Sequence, residues 1–343
     1  MNKALTYQDV YLVPQYGILP SRSSADISVK FLGKKFNAPW IPANMESVIN
    51  EDIAKWLAFN NYPYIMHRFG DNRKFLQRAR AEAWPFVSIS VGVKQEDRDL
   101  IKDIAESKCR IDWITIDIAH GHSMLMKLMI EHIKTFLPEV KIIAGNVATP
   151  EAVYDLATWG ADAVKVGVGG GKACTTKDMT GFHVPMFTCA LTCATYGGND
   201  WSQSSVPLIL DGGIRENGDI AKALVAARGV PSLVMAGSLF AACLDAPGEN
   251  VTEPRPMYND WDTEKQHPFI QNVITKKRYH GSASHIQKGE RKHVEGIQLE
   301  IPCNHMTYSE KYNELKESLS SSVSYGGGKD LSCLANIQWH SIK

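Results

Sequence analysis

Short apolar runs recur along the chain at a steady interval. They occupy Ala38–Pro42, Tyr62–His67, Phe86–Val91, Trp113–Ile118, Lys141–Val147, Ala163–Val168, Pro207–Asp211 and Ser232–Gly237. Runs of this length match strands buried on both faces. Most begin roughly 22 to 28 residues apart, which leaves room for a strand, a loop and one helix. Helix-like stretches fill the intervals: Glu51–Phe59, Asp71–Ala83, Asp97–Ser107, Ser123–Leu137, Pro150–Gly160 and Asp219–Ala227. Thr149-Pro150-Glu151 marks one helix start, with a cap, a proline at the first helical position and an acid in the first turn. This alternation predicts an α/β fold, a (β/α)₈ TIM barrel. An open doubly wound sheet is the alternative, but no GxGxxG turn follows the first strand.

The interval breaks once. About 44 residues separate the starts of the sixth and seventh runs, far more than one helix needs. Barrels carry their active sites on loops at the carboxyl ends of the strands, so a mobile active-site loop is expected after strand six. A second long stretch, about 248 to 296, follows strand eight and reads as an irregular, mobile flap over the same face. We expect a single barrel domain over residues 1–343, its flap at about 248–302 and a C-terminal extension at about 303–343.

Composition narrows the function. The 343 residues carry 37 Lys+Arg and 37 Asp+Glu, so no basic excess argues for nucleic acid or an anionic membrane as partner. The N-terminus lacks the apolar core of a signal peptide, and no run is long enough for a membrane span. Seven scattered cysteines without a secretion signal read as reduced thiols of a cytoplasmic protein. Cys189 and Cys193 are spaced for one helix face, but no second Cys/His pair matches them. Buried small side chains are therefore expected there rather than a metal site.

The enlarged loop opens Gly167-Val-Gly169-Gly170-Gly171-Lys172-Ala173-Cys174-Thr175-Thr176-Lys177. Consecutive glycines straight after a strand permit positive φ and close approach to a ligand, and their carbonyls could ligate a monovalent cation. Cys174 on this loop is a candidate nucleophile, with Lys172 and Lys177 favouring its thiolate. The competing reading is a flexible turn with an incidental thiol. Strand seven ends in Asp211-Gly212-Gly213 and strand eight in Gly237-Ser238. In a barrel these positions form a phosphate cradle, with Asp211 set to accept from two ribose hydroxyls. Otherwise they are turn glycines and a capping acid.

With those residues in place, the chain resembles the IMP dehydrogenase/GMP reductase family. The matching segments are Thr6–Pro14, Pro42–Val48, Gly145-Asn146, Gly169–Thr176, Asp211–Gly213 and Gly237-Ser238, in order over nearly the whole length. Only about fifteen residues separate His67-Arg68-Phe69 from the third strand, leaving no room for the CBS modules that most dehydrogenases insert there. Between Gly281 and Pro302 there is no Arg-Tyr pair of the dehydrogenase type. Gly289–Gly296 instead resembles the reductase segment ending in Glu-Gly, and Tyr279–Ser284 with Gln287–Glu290 resembles the bacterial reductase branch.

The resemblance implies NADPH-dependent reductive deamination of GMP to IMP and ammonia through a covalent thioimidate. Cys174 would be the nucleophile, with Thr176 and Glu295 moving the protons. It implies a nucleotide site of Asn44, Met45, Asp211, Gly212, Gly213, Gly237, Ser238, Tyr279, Gly281, Ser282, Ala283, Ser284, Lys292 and Gly296. Asp117, Ala119, His120, Asn146 and Gly167 would face the cofactor, or be ordinary strand-end turn residues. Carbonyls of Gly169, Gly171 and Cys174 match the family's monovalent-cation (K⁺) ligands, and a homotetramer is implied. Departures from the family pattern are Gly170 in place of a proline, Lys172 in place of a serine, Phe182–Met186 after the loop, and a small insertion at Gly197–Ser205. A floppier loop is expected at Gly170. A dehydrogenase without CBS modules and a catalytically weak nucleotide-binding barrel are the competing readings.

Overall fold

The computed structural model describes residues 3–195, 206–257, 269–281 and 295–342. After an N-terminal strand β1 (Val10–Leu12) and a small hairpin, β2 (Val29–Phe31) and β3 (Lys34–Phe36), the barrel begins at β4 (Trp40–Pro42). It continues through β5 (Ser88–Val91), β6 (Trp113–Asp117), β7 (Lys141–Val147), β8 (Ala163–Val166), β9 (Leu208–Asp211) and β10 (Ser232–Ala236). These seven strands form one parallel sheet in the order β4-β10-β9-β8-β7-β6-β5, so the last barrel strand returns to pair with the first.

The second expected strand, Tyr62–His67, is not a regular one. It is held by a single bridge from Met66 to Ile89, with Met66 N donating to Ser88 O and Ser90 N donating to Met66 O. Pro63 has no N–H to give a ladder, so only the far end of the run can pair. The stretch still fills its place in the wall, because Tyr64, Ile65 and Met66 are buried against the core.

The predicted helices lie within a few residues of expectation: α1 Glu51–Phe59, α2 Asn72–Ala81, α3 Gln95–Ser107, α4 Met124–Phe136 and α5 Pro150–Thr158. Their starts are set by side-chain caps, Asn50 to Ile53 N, Ser123 to Met126 N and Thr149 to Ala152 N. The described part of the long interval after strand six holds two helices, α6 Thr176–Thr180 and α7 Met186–Ala194. On α7, Cys189 and Cys193 are both buried, as small core side chains. Then come α8 Gly218–Ala226 and the short α9 Ser238–Ala241. The Gly197–Ser205 insertion lies outside the described residues.

The region after strand eight departs from expectation. Its described parts are a three-stranded antiparallel sheet of β11 (Asn250–Met257), β12 (Phe269–His280) and β13 (Gln298–Pro302), not an irregular loop. Lys276–His280 pairs with Gln298–Pro302 in register, a scaffold for both ends of the segment between them. Pro and charged residues in these strands hid them from a search for apolar runs. Beyond it, α10 (Tyr308–Tyr325) supplies the eighth barrel helix. A capping box of Thr307 and Glu310 starts it, and Tyr312 packs among Trp40, Trp56, Tyr62 and Phe240. The chain ends in β14 (Trp339–Ser341), antiparallel to β1.

Candidate functional site

A cavity of about 380 Å³ opens at the carboxyl ends of the barrel strands. Its floor is made by strand ends. Asp117 comes from β6, Asn146 from β7, Lys165 from β8 and Asp211 from β9. Pairing between β7 and β8 shifts from Gly145–Lys165 to Val147–Val166, so Asn146 is the unopposed residue of a bulge. Its Nδ2 donates to Gly167 O and to Asp211 Oδ2, both at 2.8 Å. Its Oδ1 is buried with no partner among the described residues.

The chain leaves β8 through a tight turn that only glycine fits. Gly167 has φ +132°, and a Cβ there would lie 2.0 Å from Asp211 O. The loop then crosses the cavity mouth and is tied back by Gly213 N donating to Gly170 O at 2.9 Å and Cys174 N donating to Gly171 O at 3.1 Å. Two of the unusual residues hold this loop. His183 Nδ1 lies 2.6 Å from Val168 O. Met186 fills the space beneath the glycines, its Cγ 2.7 Å from where a Cβ of Gly170 would stand. The freedom expected of Gly170 is therefore taken up by packing.

Cys174 is half-buried and lies beside Thr176, with Sγ 3.2 Å from Oγ1. Thr176 Oγ1 donates in turn to Glu295 Oε2 at 2.8 Å. The hydroxyl thus accepts from the thiol and donates to the carboxylate, a continuous proton path. The approach to β13, the flap's third strand, fixes this meeting across 119 residues of sequence. Thr175 N donates to Glu295 O, Ile297 N donates to Ala173 O, and Cys174 bridges Gly296. Gly281 sits on the same seam, its N donating to Ile297 O.

Asn44, Met45, Gly212, Gly213, Gly237, Ser238 and Tyr279 line the same cavity. Tyr279 is buried, which pushes its hydroxyl well above the ordinary tyrosine range. Its hydroxyl reaches Met45 Sδ at 3.7 Å. Gly169, Gly171, Ala119 and Lys172 also line the cavity, whereas Lys177 and His120 do not. His120 is exposed, and Gly296 reaches the site through its bridge to Cys174. Ser282, Ala283, Ser284 and Lys292 lie outside the described residues.

Sequence reasoning passed over Arg68 and Lys165. Arg68 follows the irregular second strand into the cavity, and its Nε is buried without a partner among the described residues. Lys165 was hidden inside an apolar run, where a lone lysine normally reads as a strand-edge residue. The signal that could have found it is parity. Residues 163, 165 and 167 share one side of a strand, and Gly167 was already assigned to the site.

Within this geometry the chain matches known proteins along its length. The sequence profile of the IMP dehydrogenase / GMP reductase domain covers residues 4–342. A protein named GMP reductase from Staphylococcus carnosus (strain TM300) is 43% identical over 344 residues, covering 99% of this chain and 97% of that one. GMP reductase of Staphylococcus aureus (strain MRSA252) shows the same identity and coverage. That of Lactobacillus gasseri is 43% identical over 345 residues, covering 99% and 96%. A barrel with this cysteine loop, matched from end to end, belongs to the IMP dehydrogenase/GMP reductase family.

Proposed function

We propose that this chain is a GMP reductase, converting GMP to IMP and ammonia with NADPH as reductant. The Cys174–Thr176–Glu295 chain carries the reading, at 3.2 and 2.8 Å. Deamination at C2 of guanine needs a nucleophile that makes the carbon tetrahedral and an acid that protonates the departing nitrogen. Cys174 would attack C2, and its proton passes through Thr176 to Glu295. Glu295 then returns a proton through the same hydroxyl to the amino group, which leaves as ammonia. A thioimidate on Cys174 remains. The cofactor, when bound, supplies a hydride to C2, and expulsion of sulfur releases IMP. An arginine base poised for hydrolysis is the dehydrogenase requirement, whereas a carboxylate in relay with a hydroxyl is suited to handling an amine.

Asp211 would accept from the ribose hydroxyls, and Gly212, Gly213, Gly237, Ser238 and Tyr279 would surround the phosphate. Asn44, Met45 and Gly281 would frame the nucleotide, together with Ser282, Ala283, Ser284, Lys292 and Gly296. The orphaned Asn146 Oδ1 fits the amide group of a nicotinamide, a donor in search of such an acceptor. Asn146 would hold that ring with Asp117, Ala119 and Gly167. Neutral backbone carbonyls of Gly169, Gly171 and Cys174 are a donor set suited to K⁺ rather than to a divalent ion. A cytoplasmic homotetramer, each protomer one barrel domain with its flap, completes the proposal.

Incubation with GMP and NADPH should give IMP, ammonia and loss of the reduced-nicotinamide absorbance, faster with K⁺ present. The reading fails if a folded sample leaves GMP unchanged but reduces NAD⁺ with IMP, or binds GMP without turnover of either nucleotide. Light scattering on the purified protein tests the tetramer.

A further inference from the structure

The floor of the cavity holds a buried cation between two acids. Lys165 is 3% exposed, yet its ammonium lies 3.2 Å from Asp117 Oδ1 and 2.5 Å from Asp211 Oδ2. Burial by itself would strip its proton. The two carboxylates reverse that and hold its pKa above the ordinary lysine range. The same Asp211 oxygen also accepts from Asn146 Nδ2 at 2.8 Å. One ammonium therefore ties the ends of β6, β7, β8 and β9 through shared hydrogen bonds.

A buried ion triad is weak evidence of a stabilising role, since apolar side chains of similar volume often serve as well or better. Its cost points to function. On the GMP reductase reading, Asp211 serves the nucleotide ribose, while Asp117 and Asn146 face the nicotinamide. We propose that Lys165 is a positioning residue that couples these two subsites. Asp211 cannot turn toward a ribose without changing the ammonium's hold on Asp117. Thermodynamic linkage requires the reverse to hold equally. Binding of either ligand then pre-sets the carboxylate that meets the other. This inference rests on the reading above, and its test separates the two.

The experiment measures GMP affinity by calorimetry, alone and with saturating NADP⁺, the unreactive form of the cofactor. It is run on the wild-type protein, Lys165→Met, Lys165→Arg and Asp117→Asn, each checked for folding by circular dichroism and thermal melting. Wild type should bind GMP about 5-fold or more tightly with NADP⁺ present, in the range of ordinary couplings. Lys165→Met should bring that ratio close to one and lower kcat by roughly 10- to 100-fold, a loss typical of misplaced reactants. Lys165→Arg should restore part of both. If Lys165→Met does not fold, Asp117→Asn carries the test, because it keeps the Lys165–Asp211 pair. It should leave GMP affinity alone within about 2-fold and bring the ratio close to one at NADP⁺ concentrations that still saturate the variant. A wild-type ratio of one, or a folded variant that keeps the full ratio, overturns the coupling role. Absence of GMP turnover by wild type overturns the underlying reading instead.

Discussion

At the residue scale, the site depends on three side chains whose atoms form one line, from Cys174 through Thr176 to Glu295. On the proposed reading each has a distinct duty, and the variants should separate them. Cys174→Ala should abolish turnover while GMP still binds, measured by calorimetry beside a steady-state assay. Glu295→Gln keeps the hydrogen bond from Thr176 but cannot hold a proton for the departing nitrogen. It should lower kcat by about 10²- to 10⁴-fold, the usual worth of a placed acid–base group. Thr176→Ser should retain much of the activity, and Thr176→Val should lose it to a similar extent as Glu295→Gln. Equal activity of the serine and valine variants would remove the hydroxyl from the proton path. Cys174 was legible from the sequence because a glycine-rich turn after a strand announces itself locally, whereas the role of Thr176 came with the family resemblance. The meaning of Glu295 came from the family resemblance, and its position beside Thr176 is a tertiary fact.

At the element scale, the cysteine loop is held from below by α7 and from above by the β13 approach. Met186, at the start of α7, packs under Gly170 and Gly213, with its Cγ 2.7 and 3.0 Å from their ideal Cβ positions. Gly170→Ala should therefore be overpacked and cost about 1–3 kcal/mol. The double variant Gly170→Ala/Met186→Ala should recover part of that stability in denaturant melts. Additive losses would show that the two sites do not share this space. Elsewhere α5 tests the capping logic directly. Thr149 Oγ1 accepts from Ala152 N at 3.3 Å, so Thr149→Ala should cost about 1 kcal/mol without touching catalysis. Periodicity found the boundaries of α5 and its neighbours because an amphipathic stripe is a local property. It did not find the strands of the flap, whose partners rather than their own side chains make them strands. Nor did it show that Pro63 would reduce the second strand to one bridge.

At the scale of the whole molecule, the barrel closes because β10 pairs with β4 and α10 packs across the seam. Tyr312 lies at the centre of that aromatic cluster and is 1% exposed. Tyr312→Ala should cost about 3–5 kcal/mol, as large aromatic truncations do. A loss below 1 kcal/mol would mean that α10 is an appendage. Asp162 makes a second long-range tie, accepting from Ile142 N and Lys141 Nζ at 2.9 Å and from Lys134 Nζ at 3.3 Å. Burial would raise its pKa, but the Ile142 amide and the two lysines outweigh it and lower the value. A carboxylate with a depressed folded-state pKa adds stability above its unfolded value of about 3.9. That contribution fades as pH falls through the folded value. Asp162→Asn should thus be less stable than wild type at neutral pH, and the gap should narrow below about pH 4. A gap that is constant from pH 7 to pH 3 would mean that charge plays no part.

The chain's own pattern of apolar runs determined the number of barrel units, the helices between them and the loop that bears Cys174. Those are set by neighbours within a few residues, where side-chain period and turn chemistry act. Tertiary structure decided which distant groups meet. It brought Glu295 to Thr176, folded Met186 under Gly170, and set Lys165 between Asp117 and Asp211. Such contacts depend on the closure of a sheet across the full length of the chain, and no local propensity encodes them.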